Sequence, residues 1–409
     1  MTGVLVQHAD DLIHRVMATP EGHTDPYPLY RRLQATAPVH RSDLDGNWYV
    51  SSFDASRHIL GDPRIGKNDQ FVVPRHGVDP ERVRLAQRRR RTSMLTANPP
   101  EHTRLRGAAK GAFLPPAMSA IQPRVKAIID ERLDRLAALG EADVMAELAF
   151  PMPVTVVGEM VGVPEEDRAW FRPLMRTLVS SDSFKRSSEE LAEVKRAGDE
   201  LDAYFAGLIA RRRKEPTDDL LSYFIAQADD GLLDEDELFS TVTLLFFAGF
   251  LTTTNLIGNG LVALFGHPQE QARLWEHPEL AASAVEEVVR FDSPVQFVHR
   301  NVLEDMELEG RRLAAGDVVM ILLAAANRDP ARFADPDRFD IGRTDNLHLA
   351  FAWGLHFCLG ARLARMEGQL VFAGLVERFA KVEPAGVPVR NPGLAIRGFE
   401  SLPVRFTPR

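Results

Sequence analysis

The sequence contains only one cysteine, Cys358, in 409 residues, which excludes an internal disulfide. A chain without disulfides is typical of a reducing compartment, so we expect a cytoplasmic protein. Residues 1–20 lack an apolar signal core because Asp10, Asp11 and Arg15 interrupt it, and neither a secretory signal nor a membrane anchor is predicted. Linkers, repeats and low-complexity tracts are also lacking, which predicts one domain over residues 1–409.

Charge is absent from residues 238–269, which hold no Asp, Glu, Lys or Arg. A stretch of that length can span a bilayer. Its flank favours a buried central helix instead, because residues 234–237 are all acidic and complement the N-terminal end of a helix dipole. The threonines and asparagines inside the stretch also argue against a membrane span.

The polar residues of this stretch are concentrated in residues 247–255, FAGFLTTTN. On a helix, Ala248, Thr252, Asn255 and Asn259 form one stripe. The Thr252 hydroxyl can donate to the Ala248 carbonyl, and the small residues AG let a flat group approach the backbone. A polar seam between two helices explains the stripe equally well, so these residues alone leave both interpretations open.

Basic residues are unevenly distributed in a chain whose net charge is −9. Residues 81–126 carry eleven Lys and Arg, including Arg88 to Arg91, against only Glu81 and Glu101. A solvated helix face is the ordinary explanation of such a run, and a docking site for an acidic protein or a cofactor carboxylate is the alternative. Nucleic acid is not expected as a partner, because the chain as a whole is acidic and has no nucleic-acid-binding motif.

Helical periodicity dominates the chain, and strand-like segments are short. The spacing of these segments does not follow a βαβ pattern, so the predicted fold class is mainly α with minor β. The clearest helical segments are 121–139, 185–212 and 235–266, and the strand-like segments are 47–52, 295–302, 311–324 and 402–406.

The single cysteine lies in residues 351–360, FAWGLHFCLG, and an amphipathic helical segment, ARLARMEGQLVFAGLVERF, follows. A cysteine just before a helix start is stabilised as a thiolate by the helix dipole and by unpaired backbone N–H groups. A lone cysteine is more often a small buried hydrophobic residue. The spacing F-x-x-G-x-H-x-C-x-G is more specific than that explanation requires.

This ten-residue element resembles the haem-binding loop of the cytochrome P-450 family. The resemblance implies a cytochrome P-450 fold, in which haem lies between a central oxygen-side helix and a proximal Cys-loop helix. It also implies haem b, iron protoporphyrin IX, with Cys358 as the axial thiolate and metal ligand. Phe351 and Gly360, at the two ends of the motif, are cofactor-binding by the same resemblance.

Four basic residues match the family's partners of the haem propionates. His102 and Arg106 lie in NPPEHTRLR, Arg300 lies in the strand-like segment 295–302, and His356 lies in the cysteine motif. A dianionic cofactor edge inside a protein requires cations and hydrogen-bond donors, because an unpaired buried charge is costly.

A third set of matches is structural. Glu287-x-x-Arg290, in EEVVRF, resembles the family's helix motif, whose ion pair is joined by an arginine that matches Arg338 in DPDRF. Residues 327–330, NRDP, resemble the segment that precedes the cysteine loop. The pair at i, i+3 would otherwise be an ordinary surface ion pair.

The stretch FAGFLTTTN then matches the family's oxygen-side helix, which usually reads A-G-x-(acid)-T. Ala248, Gly249 and Thr252 match and are catalytic by resemblance, together with the adjacent Thr253, but Leu251 stands where the family has Asp or Glu. In the family the threonine and the acid guide protons during dioxygen activation.

Three accounts of the missing acid are open. We prefer ordinary monooxygenation, with protons carried by water and Thr252 or Thr253, helped by Asn255 or a substrate hydroxyl. A reaction other than oxygen insertion, such as ring closure, desaturation or coupling, is the second account. Peroxide in place of dioxygen is the third, and the retained threonine makes it less attractive.

By resemblance the substrate pocket is mainly apolar and takes a bulky lipophilic natural product, such as a polyketide, macrolide or terpenoid of secondary metabolism and antibiotic biosynthesis. Its expected segments include 67–97 and 165–185. The candidate pocket residues are Phe247, Phe250, Leu251, Val295, Phe297 and Phe399.

The resemblance also implies partners and co-substrates. Electrons come from NAD(P)H through ferredoxin reductase and an acidic ferredoxin, which docks on a basic proximal surface that includes Arg104 and Lys110. Dioxygen is the co-substrate, and the expected assembly is a monomer. A non-catalytic haem sensor with the same thiolate loop is the competing function.

Overall fold

The computed structural model describes residues 2–67, 92–171, 173–174, 177 and 188–409. Most of these residues are helical, which confirms the predicted fold class of mainly α with minor β. The helices are α1 (Thr2–Ala18), α2 (Pro20–Thr24), α3 (Tyr27–Thr36), α4 (Phe53–Gly61), α5 (Glu101–Lys110), α6 (Pro115–Leu139), α7 (Pro151–Val161), α8 (Glu165–Arg168), α9 (Ser188–Lys214), α10 (Leu220–Asp229), α11 (Glu235–Gly266), α12 (Pro268–Glu276), α13 (Ala281–Phe291), α14 (Leu323–Ala326) and α15 (Ala361–Arg378).

The strands of the described residues form one five-stranded sheet and three smaller ones. The larger sheet has the order β1-β2-β8-β5-β3, in which β2 and β8 are parallel and the other neighbours are antiparallel. The smaller sheets are β4-β12-β9, β6-β7 and β10-β11. The strands are β1 (Val39–Arg41), β2 (Trp48–Val50), β3 (Ile65–Gly66), β4 (Glu141–Asp143), β5 (Val298–Val302), β6 (Met306–Leu308), β7 (Arg311–Leu313), β8 (Val318–Ile321), β9 (Phe379–Pro384), β10 (Val389–Arg390), β11 (Phe399–Ser401) and β12 (Pro403–Pro408).

Helix α11 contains nearly all of the uncharged stretch, and its start is capped by the acidic residues before it. The Asp234 carboxylate accepts a hydrogen bond from the backbone N–H of Glu237 at 2.8 Å, and the Glu237 carboxylate accepts one from the N–H of Asp234 at 3.0 Å. This capping box satisfies two N–H groups at the helix start. The helix is long and apolar enough to cross a membrane, but 61% of its apolar window is buried inside the protein, as the buried-helix interpretation predicts.

Most of the periodic segments correspond to observed elements. Residues 121–139 lie in α6 and residues 235–266 coincide with α11, while the described part of 185–212 lies in α9. The four strand-like segments contain β2, β5, β7 with β8, and β12. Periodicity does not identify α1 to α4.

Glycines let α11 approach its neighbours closely in the main hydrophobic core. A Cβ at Gly260 would lie 2.4 Å from the ring of Phe372 on α15 and 3.2 Å from Val288 on α13. On α15, a Cβ at Gly368 would lie 3.1 Å from Leu256 of α11. The crossing of α11 with α15 therefore depends on residues without side chains.

The Glu287–Arg290 pair is buried, with both side chains inaccessible, and Arg290 donates to Glu287 at 2.7 and 2.8 Å. The second cation on Glu287 is Arg343, at 3.3 Å. The prediction that the Arg338 side chain joins this pair is wrong, because that side chain is 62% exposed and lies 3.8 Å from Asp340. Arg338 contributes only its carbonyl, which accepts from Arg290 at 3.1 Å.

Gly260→Ala tests the close approach of α11 and α15. The added methyl group meets the Phe372 ring, which packed neighbours hold in place, so we expect the free energy of unfolding to fall by about 1–3 kcal/mol in urea denaturation. Gly207→Ala is the matched control, because Gly207 is on an exposed face of α9 and an added Cβ there meets nothing within 4 Å. The control should gain about 0.5–1 kcal/mol, and equal effects of the two substitutions would contradict the crossing geometry.

Candidate active site

Cys358 lies at the end of a closed loop immediately before α15. Its backbone N–H donates to the carbonyl of Phe351 at 2.9 Å, which joins the two ends of the loop. Within the loop Gly354 has φ of 69°, and a Cβ there would lie 2.3 Å from the carbonyl oxygen of Leu60 on α4, so only glycine fits. Gly360 is the N-cap residue of α15, and its N–H donates a hydrogen bond to the Cys358 thiol.

The Cys358 thiol is accessible within a concave surface. The protein atoms around it raise the pKa of Cys358 by burial, while the Gly360 N–H and the charges of Arg106 and Arg365 act in the opposite direction. Arg106 is anchored beside the thiol, because its Nη2 donates to the carbonyl of Phe357 at 2.7 Å. The thiolate form of Cys358 therefore has one hydrogen-bond donor and two cations acting on it, but these do not outweigh burial. A further positive partner is needed to favour the thiolate over the thiol.

Five basic side chains, here called the cationic cluster, converge near the cysteine loop. The rings of His102 and His356 lie edge to face with centroids 4.5 Å apart. Arg300 on β5 and Lys67 both donate to the carbonyl of His299, at 2.9 and 2.8 Å. The cluster consists of Lys67, His102, Arg106, Arg300 and His356.

The charges in this cluster repel one another. Burial lowers the pKa of Arg300 to about 10. Burial and the charges of Arg300, His102, Lys67 and Arg106 lower the pKa of His356 to about 3, so this imidazole is neutral at pH 7. Both ring nitrogens of His102 and Nε2 of His356 are buried without a hydrogen-bond partner. Buried polar groups without partners are rare and require an explanation.

A bound anionic group explains the cluster. Guanidinium, ammonium and imidazole groups together form a donor set that suits carboxylates. The nearby Cys358 thiol, positioned at a helix start, suits a metal ion that accepts thiolate. The residues present therefore fit haem, with its two propionates at the cationic cluster and Cys358 toward its iron.

The oxygen-side residues lie on the accessible face of α11. Ala248 is exposed and Thr252 is half-buried, and the Thr252 hydroxyl donates to the Ala248 carbonyl at 3.2 Å, as predicted for an i−4 bond. Gly249 packs closely on α7, because a Cβ there would lie 2.4 Å from Val157. Thr253 is buried and donates to the Gly249 carbonyl at 3.4 Å.

Two asparagines of the predicted stripe belong to a polar seam. Asn259 donates to the carbonyls of Asp292 and Arg397 at 3.0 and 3.2 Å. Asn255 packs closely on Gly398, because a Cβ added at Gly398 would lie 1.9 Å from Oδ1 of Asn255. The stripe therefore divides into an accessible part, formed by Ala248 and Thr252, and a structural part.

The candidate pocket residues also divide. Phe247, Leu251, Val295 and Phe297 are partly accessible. Phe250 is a correction, because its ring is fully buried among Phe150, Phe246 and Phe247.

Phe399 is a second correction. It is 5% exposed and has the Arg390 guanidinium 4.5 Å from its ring. Most of 67–97, including the Arg88 to Arg91 run, and much of 165–185 lie outside the described residues.

The comparisons with known proteins agree with this geometry. The family model described as Cytochrome P450 matches residues 68–393. The chain belongs to the cytochrome P450 family. It is 39% identical over 393 residues to the cytochrome P450 monooxygenase PikC of Streptomyces venezuelae, an alignment that covers 93% of this chain and 91% of PikC.

Two further relatives cover almost the whole P450 chain. The polyketide biosynthesis cytochrome P450 PksS of Bacillus subtilis strain 168 is 34% identical over 411 residues, covering 97% of this chain and 100% of PksS. The crystal structure of P450BioI in complex with a hexadec-9Z-enoic acid-ligated acyl carrier protein superposes with a TM-score of 0.87 and 35% identity, covering 94% and 100% of the two chains. The protein is thus an oxidoreductase of the cytochrome P450 family, and the family implies a thiolate-bound haem, dioxygen and reducing equivalents.

The concave surface at Cys358 is basic in this P450. Its volume is about 440 Å³, and Arg106, Lys110, Arg362 and Arg365 line it together with apolar residues. Arg104 is a correction to the predicted docking surface. Its guanidinium is held by both carboxylate oxygens of Glu237 and donates to the carbonyl of Leu232 at 2.7 Å, so it ties α5 to the start of α11.

Several residues of the site have no sequence prediction. Lys67 joins the cationic cluster from a strand edge. Glu367 on α15 is 1% exposed, its Oε2 lacks a hydrogen-bond partner, and Thr253 of α11 hydrogen-bonds with it. The sequence signal available for Glu367 was its position as the single acidic residue in the mostly apolar segment MEGQLVFAG.

Glu367 makes the stability of this P450 depend on pH. Burial raises the pKa of Glu367 from 4.5 to about 8, and the Thr253 hydrogen bond offsets only part of this. The folded protein therefore binds one more proton than the unfolded chain between these values. The free energy of unfolding should fall as pH rises from about 5 to 8, by up to about 1.4 kcal/mol per pH unit.

Glu367→Gln should remove this dependence in urea denaturation at pH 5.5, 6.5 and 7.5. Glu383→Gln is the control, since that side chain is 51% exposed. A wild-type slope that persists in Glu367→Gln would show that another group titrates in this range.

Proposed function

We propose that this P450 is a haem-thiolate monooxygenase that inserts one oxygen atom, by hydroxylation or epoxidation, into a bulky lipophilic natural product of secondary metabolism. The observation that carries the proposal is the combination of an accessible thiol at the start of α15 with a buried cluster of cations that includes unpaired imidazole nitrogens. The Thr252 and Ala248 pair on the accessible face of α11 supplies an oxygen-side surface.

The chain's residues have separate tasks in this proposal. Haem, when bound, supplies the oxidising chemistry. Cys358 holds the iron, and Arg106, Arg300, Lys67 and the two histidines hold the propionates and orient the cofactor. Thr252 places its own side-chain hydroxyl at the oxygen side, where Oγ1 accepts or donates a proton.

Leu251 changes how protons reach that hydroxyl. Its apolar side chain neither stores nor donates a proton, so water must deliver protons to Thr252 directly. A half-buried rather than sealed threonine is compatible with such a route, because water reaches it from the accessible face. Ordinary monooxygenation therefore needs no acid at position 251 in this proposal.

The substrate class follows from the accessible apolar wall and from the relatives. Phe247, Leu251, Val295 and Phe297 offer aromatic and aliphatic surface without a charge, which suits a large lipophilic molecule. PksS is by its name a polyketide biosynthesis enzyme. A polyketide or a macrolide derived from one is the substrate that we propose.

Electrons are proposed to arrive at the concave surface. The three basic residues there that do not belong to the cationic cluster, Lys110, Arg362 and Arg365, suit an acidic ferredoxin, supplied in turn by NAD(P)H and a ferredoxin reductase. The exposed rim residues Leu114 and Phe357 add apolar contact area beside the charges. Lys110 retains its predicted role in this surface, and Arg362 and Arg365 join it.

The optical spectrum of the reduced protein under carbon monoxide tests the thiolate assignment. We expect the red-shifted Soret band of thiolate-bound haem, and we expect Cys358→Ser to lose it while retaining helical circular dichroism. A panel of lipophilic polyketides should change the ferric spin state, and mass spectrometry should find a product one oxygen heavier. The thiolate assignment fails if the band is absent. A normal band without any oxidised product favours the haem sensor, and a product that lacks the added oxygen favours ring closure, desaturation or coupling.

Thr252→Ala tests the oxygen-side assignment. Loss of the hydroxyl should divert electrons to hydrogen peroxide and reduce product per NADPH about tenfold or more, since general acid–base groups contribute about 10²–10⁴. Thr252→Ser is the control that keeps the hydroxyl, and it should retain most of the coupling. Unchanged coupling in Thr252→Ala would defeat the assignment.

Leu251→Glu restores the family's acid and should raise the rate or the coupling if proton delivery limits turnover.

A further inference from the structure

Arg365 on α15 lies between the concave surface and the core behind it. Its side chain is 31% exposed and lines the concave surface with Arg106 and Arg362. The guanidinium is held from behind by Glu286 of α13, to which Nε and Nη2 donate at 2.7 and 2.9 Å. This two-point contact fixes the plane of the guanidinium as well as its position.

His348 holds Glu286 in turn. The backbone N–H of Ala350 donates to Nδ1 of His348 at 3.2 Å, so Nδ1 is an acceptor and the ring proton is on Nε2. Nε2 then donates to Glu286 at 3.0 Å. Burial alone would raise the pKa of Glu286, but the hydrogen bonds from His348 and Arg365 lower it to about 2. Glu286 is therefore an anion throughout the useful pH range.

The same guanidinium contacts the cysteine loop. Its central carbon lies 4.4 Å from the centroid of the Phe351 ring, within cation–π range. The carbonyl of Phe351 accepts the Cys358 N–H at 2.9 Å. Arg365 is also one of two guanidinium groups whose charge acts on the Cys358 sulfur. The Arg365 side chain thus lines the concave surface and contacts the Phe351 ring at one end of the cysteine loop. Its charge also acts on the Cys358 sulfur at the other end.

We propose that the opposed charges of Arg365 and Glu286, held in place by His348 and against Phe351, together set how strongly the Cys358 thiolate donates to the iron. This inference rests on the proposed haem-thiolate function. An acidic partner in the concave surface would compete with Glu286 for the guanidinium, so partner binding and thiolate strength are linked through Arg365.

The two charges should act in opposite directions on haem reduction. Reduction adds negative charge at the iron, so the Arg365 cation favours it and the Glu286 anion opposes it. Removal of either charge alone leaves the other uncompensated. A purely structural role would instead shift both variants in the same direction, because each would only loosen the loop.

Spectroelectrochemical titration of the purified holoenzyme without partner measures these effects. Arg365→Gln should lower the equilibrium constant for haem reduction about three- to tenfold, and Glu286→Gln should raise it by a similar factor. Arg365→Lys, which keeps the charge but loses the two-point contact, should recover most of the wild-type value. The double variant should return close to wild type, because the two opposite charges are removed together.

Arg362→Gln is the matched control. Arg362 is exposed on the same surface and on the same helix, so its removal deletes an equal charge without touching Glu286 or Phe351. We expect it to change the reduction constant less than about twofold. Shifts of one sign for Arg365→Gln and Glu286→Gln, or shifts no larger than that of the control, would overturn the inference.

The carbon monoxide band separates this test from the proposed function. A wild-type protein without the thiolate band defeats the proposed function itself. A normal band together with unchanged reduction constants in every variant defeats only the proposed effect of Arg365 and Glu286 on the thiolate. If Arg365→Gln does not fold, Glu286→Gln still gives the sign of the effect, and Arg365→Lys shows whether the charge alone suffices. The amide oxygen introduced by Glu286→Gln can accept the His348 proton, and the amine introduced by Arg365→Lys keeps the cation.

Discussion

The crossing of α11 with α15 is the constraint on which the active site depends. Helix α11 carries Thr252 and α15 begins just after Cys358, so the two helices place the oxygen-side hydroxyl and the thiol. Gly260 and Gly368 allow the close approach, and Glu367 of α15 interacts with Thr253 of α11 across it. The Thr252 and Cys358 side chains are therefore positioned by the packing of other residues on the same two helices.

Buried charge is handled in two ways in this protein. Glu287 and Arg290 are inaccessible, but each has several partners, so their burial is compensated within the chain. The cationic cluster shows the opposite arrangement, because the charges that act on its histidines come from other cations. Compensation from within the chain marks a structural ion pair, while a cluster of like charge with unpaired imidazole nitrogens marks a binding site for an anion.

The sequence predicted those features that depend on neighbours along the chain. The bounds of α11 follow from an acidic cap and an uncharged run, and the Thr252 bond to Ala248 follows from helix geometry. Motif matching located residues but not the atoms they use. Arg338 offers a carbonyl where a guanidinium was expected, because its side chain turns to solvent.

Predictions that required tertiary packing were wrong or missing. Phe250 was expected in the pocket by resemblance to the family, yet one turn of a helix has several faces and its ring points into the aromatic core. The contacts of Glu286 with Arg365 and His348 join residues that are far apart in the chain, so no periodicity could reveal them.

The contact between Gly354 and the Leu60 carbonyl also has a consequence for how the protein assembles. The cysteine loop is seated on a helix from the first part of the chain, so its final shape depends on a meeting of segments separated by most of the sequence. Contacts of such high sequence separation slow folding, because the chain must close a long loop before they form. The cysteine motif therefore does not fix the geometry of the thiol alone, and the loop reaches its final shape only when α4 is in place beneath it.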